Sequence, residues 1–175
     1  MAEKTGKREW KPTWKDVILS SVGGVSFIGQ IVLCFLFYNW LDLDVLLYTG
    51  WTILAGDLLL GMMSRRAFEK EGRAPEGESW LATTAVVDSG IYAVVRHPIY
   101  LSFILLILVL ILISQHWLSP ILGVPWMVFL YYAMRREEQA NIERFGDDYQ
   151  RYMQKVPRIN FLVGIIRLVR RSKRG

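Results

Sequence analysis

Two pairs of polar residues bracket the longest uncharged run in the chain. Arg96 and His97 stand just before it, Glu137 and Glu138 just after it, and no Asp, Glu, Lys or Arg falls between Pro98 and Met134. A carboxylate held at the edge of an apolar region can anchor a cation or a set of hydroxyls. Tyr92, Tyr100, Tyr149 and Tyr152 add aromatic faces, and aromatic faces with carboxylates suit a positively charged ligand sheltered from water. Either pair alone is ordinary: Glu137 and Glu138 beside Arg135 and Arg136 also read as local ion pairs, and His97 as an interfacial histidine before a proline. Their convergence is what makes a candidate site. The sequence has no Gly-rich phosphate loop, Ser-His-Asp arrangement or Rossmann fingerprint. One cysteine, Cys34, excludes an internal disulfide, and with only His97 and His116 besides, no metal site is expected.

The elements that must bring these residues together read as membrane helices. Residues 17–40 carry no formal charge, residues 45–64 carry one, Asp57, and residues 98–134 are long enough for two spans, 98–114 and 120–134. A bilayer core of roughly 30 Å takes about 20 helical residues. The turn of the hairpin falls at residues 115–120, where Pro120 suits the first turn of a helix. All 21 Lys and Arg sort into three blocks: before the first span, between the second and third, and after the fourth. The loops at 41–44 and 115–119 have none. This is the positive-inside pattern, and it predicts four spans with both termini cytoplasmic. A net charge of +5 distributed in this way argues against nucleic acid as partner. The expected fold is an all-α, polytopic helical membrane protein: a single domain over residues 1–175, with a cytoplasmic pocket built from residues 84–100 and 135–158.

Smaller features complete the expectation. Trp10 and Trp14 read as interfacial anchors. Gly23, Gly24, Ser26 and Gly29 make the first span a packing helix. Asp57 within a span reads first as an interhelical hydrogen bond and second as a cavity-lining group. Residues 65–71 extend the second span, and Gly72, Pro75 and Gly77 break it. The apolar stretch 81–87 either lies on the membrane or covers a cavity. The fourth span continues to Arg144, Gly146 takes a left-handed cap, and Asp147 caps a short helix that Pro157 ends. Residues 161–169 form an interfacial helix or a partial fifth membrane helix, beside a basic tail that favours anionic lipid.

Residues 90–157 carry a longer pattern: G-x-Y-x-x-x-R-H-P-x-Y, an apolar hairpin, E-E, then F-G-x-x-Y-x-x-Y-x-x-x-V-P. It resembles the isoprenylcysteine carboxyl methyltransferase family, which belongs with integral-membrane methyltransferases that include phospholipid N-methyltransferases. The resemblance implies S-adenosylmethionine as cofactor and a lipophilic or prenylated acceptor. It assigns cofactor contacts to His97, Pro98, Ile99, Tyr100, Tyr92 and Glu137, and to an upstream segment at Thr84, Ala85, Val86 and Val87. Glu137, Glu138 and Arg96 are the candidate catalytic groups. Two positions depart from the family pattern: Ser102 replaces a common glycine, and Ala133 replaces the substrate-binding arginine of eukaryotic members. The expected activity is carboxyl O-methylation of a prenylcysteine-like substrate. N-methylation of a phospholipid amine is the alternative; a sterol-reductase-like enzyme and a non-enzymatic scaffold are remoter ones.

Overall fold

A computed structural model describes residues 13–73 and 83–173. The expected anchor Trp10, the breakers Pro75 and Gly77, and Leu81 lie outside these residues. The described regular structure is wholly helical: α1 (Trp14–Leu36), α2 (Asp44–Glu71), a 3-10 turn (Gly90–Ala93), α3 (Pro98–Ser114), α4 (Leu118–Phe145), α5 (Asp147–Lys155) and α6 (Phe161–Ser172). Helices α1 and α2 are long and apolar enough to cross a membrane. Helix α3 is apolar but has 17 residues.

Side-chain burial is inverted relative to a water-soluble bundle. The buried residues of α1 include Gly23, Ser26 and Gln30, while Val25 and Phe35 are 71% and 83% exposed. Small and polar groups face protein and large apolar ones face outward, as helices packed in lipid require. Helix α1 packs chiefly on α4, and α2 on α3. Ser26 Oγ donates to the Leu122 carbonyl at 2.5 Å. The buried Gln30 amide donates to the Ile107 carbonyl and to Ser119 Oγ, tying α1 to both α3 and α4.

Gly123 sits where these three helices meet. A Cβ there would lie 2.8 Å from Ile107 Cγ2 and 3.4 Å from Gln30 Nε2. Overpacking of this kind costs about 1–3 kcal/mol. Gly123→Leu is therefore expected to lower the melting temperature in detergent by several degrees, whereas Gly24→Leu, whose Cβ meets nothing within 4 Å, leaves it unchanged.

The first span ends earlier than its apolar composition suggests. Residues 37–41 are turn rather than helix. Asn39 has a φ of 51°, and the amides of Asn39 and Trp40 donate to the carbonyls of Ile113 and Ser114 at the end of α3. Gln115, itself left-handed at φ 53°, accepts from the Leu43 amide and donates to Asn39 and Leu43. This polar clasp joins the two helical hairpins at the end opposite the candidate site.

At the site end, α2 runs on to Glu71 and Gly72 closes it, with the Gly72 amide donating to Phe68. Helix α4 continues to Phe145. Gly146 has the expected positive φ, but its ψ of −131° is not left-handed helical, and it is Gly146 rather than Asp147 that precedes α5 as its cap. A glycine is needed there because L side chains rarely adopt that conformation. Helix α6 has 12 residues, about 18 Å at 1.5 Å per residue, well short of a bilayer core.

Candidate functional site

Helices α3 and α4 are antiparallel, so the start of one and the far end of the other share a level. His97 precedes Pro98, the first residue of α3. Glu138 lies on α4 and is 4% exposed. Its carboxylate gathers three side chains. Arg158 binds bidentately, Nε to Oε1 at 3.0 Å and Nη2 to Oε2 at 2.5 Å. Arg96 Nη1 lies 3.1 Å from Oε1 and His97 Nε2 3.3 Å from it. Burial alone would raise the pKa of this carboxyl. The hydrogen bonds from His97 and Arg158, with the charge of Arg96, override it and bring the value to about 2. Glu138 is thus ionised across the physiological range. It organises Arg96 and His97 rather than offering itself to a ligand.

Beside this cluster lies a cavity of about 500 Å³. Its lining brings together residues far apart in the chain: Ala85, Val86 and Val87; Tyr92, Arg96, His97, Pro98, Ile99 and Tyr100; and Ala133 and Glu137. Thr84 is not among them; its hydroxyl donates to the Arg73 carbonyl and its amide to that of Gly72. Glu138 also stays outside, behind Arg96 and His97. Glu137 faces the cavity with its side chain 42% exposed, 3.7 Å from His97 Nδ1, and hydrogen-bonds the Tyr100 side chain. The two neighbouring acids therefore take opposite parts, one a buried structural counter-ion and the other a free face of the cavity.

Several lining residues carry no obvious mark in the sequence. Trp126 and Phe129 come from mid-α4 and Asn141 follows Glu137 by one helical turn, whereas Tyr149 and Tyr152, which the sequence pattern already marks, arrive from α5. Tyr152 donates to the Tyr92 carbonyl at 2.7 Å, and burial pushes the hydroxyls of Tyr92, Tyr149 and Tyr152 upward in pKa. They stay neutral donors. Arg158 was legible only as the residue after Pro157 in the V-P step.

Three buried polar atoms on these lining residues have no partner among the described residues: Tyr92 Oη, Arg96 Nε and Trp126 Nε1. Buried donors are ordinarily satisfied. Open donors around an aromatic cavity that Glu137 faces suit a ligand carrying both hydrogen-bond acceptors and positive charge. Asp57 does not line the cavity. It is buried on α2 and hydrogen-bonds the side chain of Ser102 on α3. The serine that departs from the family glycine thus serves Asp57, the lone acid within residues 45–64.

A second cavity, about 630 Å³, lies on the other side of α4 against the start of α1. It shares Phe129, Ala133 and Glu137 with the first, a stripe at four-residue spacing along one edge of the helix. Asp16 closes one end. Its carboxylate completes a capping box with Thr13 and pairs with Arg136.

A family model described as phospholipid methyltransferase matches residues 45–148, more than half of the chain. The chain belongs to the phospholipid methyltransferase family. The match contains the Arg-His-Pro junction, both acids and the hairpin between them. A curated relative of this family member, protein-S-isoprenylcysteine O-methyltransferase from Schizosaccharomyces pombe, is 26% identical over 162 residues, 87% of this chain. The aligned part covers 66% of that relative, just under two thirds of its length. No solved structure matches. The two findings agree with the resemblance carried by residues 90–157, and they support a membrane methyltransferase.

Proposed function

We propose that this chain transfers a methyl group from S-adenosylmethionine to a lipophilic acceptor, across a fold that crosses the membrane four times with both termini cytoplasmic. The observation that carries the reading is the first cavity. Segments separated by the whole α3–α4 hairpin meet there, and its open donors and the Glu137 carboxylate match the groups of this cofactor. Glu137 would hold the ammonium, and Tyr92, Arg96 and Trp126 offer donors for carboxylate and nucleoside oxygens and nitrogens. When bound, the cofactor supplies a methyl on a sulfonium, an electrophile suited to in-line displacement. The chain's own contribution is position and exclusion of water. Glu138 locks Arg96 and His97, the aromatic wall shelters positive charge, and the tail of the acceptor remains in lipid.

The acceptor head belongs in the second cavity, across the Phe129–Ala133–Glu137 stripe. The yeast relative supports a prenylcysteine carboxylate, already a nucleophile at neutral pH. One observation favours the amine reading instead. Among the described residues, the charged lining of the second cavity is Asp16, Glu137 and Glu143 against Arg136, and Arg136 is already paired with Asp16. Acids in excess attract a cationic head and repel an anionic one.

Transfer of labelled methyl by purified protein in lipid vesicles decides between them. Label released by mild base, with a farnesylcysteine acceptor, identifies the ester. Base-stable label in the phosphatidylethanolamine fraction identifies the amine. Absence of S-adenosylhomocysteine binding together with tight NADPH binding would overturn both in favour of a reductase.

A further inference from the structure

Helix α6 has two faces with different business. One touches the protein along a single line. Gly164 is pressed against Val94, so closely that a Cβ there would lie 2.1 Å from the Val94 carbonyl oxygen. Arg171 Nη2 donates to the Ala93 carbonyl at 3.0 Å. Just before the helix, the carbonyls of Pro157 and Arg158 accept from the amides of Arg96 and His97 at 3.0 and 3.1 Å. The backbone of residues 93–97, which places Arg96 and His97 in the first cavity, is thus clasped by the chain from 157 to 171.

The other face is apolar and exposed: Leu162 is 73% exposed, with Ile166 and Val169 following on the same side. Arg170 and Lys173 flank it, and no acidic residue occurs from Phe161 to the C-terminus. An apolar stripe edged only by positive charge, on a helix too short to span, complements the surface of an anionic bilayer.

We propose that α6 docks on anionic lipid and that docking holds residues 93–97 in the conformation that receives the methyl donor. The lipid surface then acts as an effector of the site, because a segment ordered in advance binds ligand more tightly. The affinity consequence rests on the cofactor reading above; the ordering of residues 93–97 does not.

The test uses full-length protein in nanodiscs of phosphatidylcholine with or without phosphatidylglycerol. Amide exchange is measured first without cofactor. Exchange at Val94, Val95, Arg96 and His97 is expected to slow in the anionic discs. The double variant Arg170→Glu/Lys173→Glu, which alters neither the Gly164 nor the Arg171 contact, is expected to abolish that slowing. S-adenosylhomocysteine is then expected to bind the unmodified protein about fivefold or more tightly in anionic discs, the lower end of common coupling strengths. Equal exchange and equal affinity in the two lipids would overturn the proposal and leave the cofactor reading standing. Slowed exchange without binding in either lipid would sink the cofactor reading and keep the docking. A double variant that changes the oligomeric state while lipid has no effect would show that α6 covers a second copy, and the lipid proposal would fall.

Discussion

Glu138→Ala is expected to cost about 3–5 kcal/mol of stability, the usual penalty for breaking a buried ion pair from one side. That is a large share of the roughly 5–15 kcal/mol that holds a domain folded. The reason is what remains behind. The Arg96 side chain is 8% exposed and loses its counter-ion, the Arg158 fork loses both of its acceptors, and His97 loses the oxygen at 3.3 Å. Glu138→Gln keeps the volume but not the charge and should fall almost as far. Removing a second charge recovers part of the loss, because the residues act as one network. Thermal unfolding in detergent of Glu138→Gln, and of Glu138→Gln/Arg96→Met, checks this. A double variant no more stable than the single would mean that Arg96 is not the group left unpaired.

The same carboxyl sets a pH window. Its native pKa, about 2, lies below the ordinary 4.5, so between those values the unfolded chain binds the proton and the native protein does not. Stability is therefore complete above about pH 4.5 and is lost as pH falls through the native value. Asp16 is shifted the same way, chiefly by its hydrogen bond to Arg136, and contributes loss of the same sign. Acid titration of the melting temperature should be flatter for Glu138→Gln than for the unmodified protein.

The helices and their ends were legible because charge and hydropathy sort by position. Five basic residues before one apolar run and none after it fix an end, and Gly72, Gly146 and Pro157 mark breaks by backbone chemistry alone. The end of α1 was not legible in this way. The residues from Phe37 to Leu41 are as free of formal charge as the span before them, and the helix stops because Asn39 and Trp40 hydrogen-bond the end of α3, a contact 74 residues away in sequence for each. The division of labour between Glu137 and Glu138 was hidden for a related reason. Adjacent residues on a helix point about 100° apart, and the positions of Arg96, His97 and Arg158 decide which acid is buried. The sequence pattern identifies the pair; it does not say which partner the ligand meets.

Glu137→Ala tests that division. The Glu137 side chain is partly exposed, so its loss leaves no desolvated charge, and the protein should lose only the hydrogen bond to Tyr100, about 0.5–1.5 kcal/mol of stability. Its carboxylate nevertheless stands on the stripe common to both cavities. A hydrogen bond between charged partners contributes about 1.5–3 kcal/mol, so S-adenosylhomocysteine affinity should drop roughly 10- to 100-fold at 1.4 kcal/mol per decade. Calorimetric titration of folded Glu137→Ala and Glu137→Gln measures it. The two variants should lose the same amount, since the amide keeps the shape but not the charge that an ammonium needs. Asn141→Ala, one turn further along the same wall, should weaken binding less, because its neutral amide offers only an uncharged hydrogen bond. If Glu137→Ala binds the cofactor product normally, the ammonium lies elsewhere. The carboxylate would then belong to the acceptor side of the stripe, where its negative charge strengthens the case for an amine.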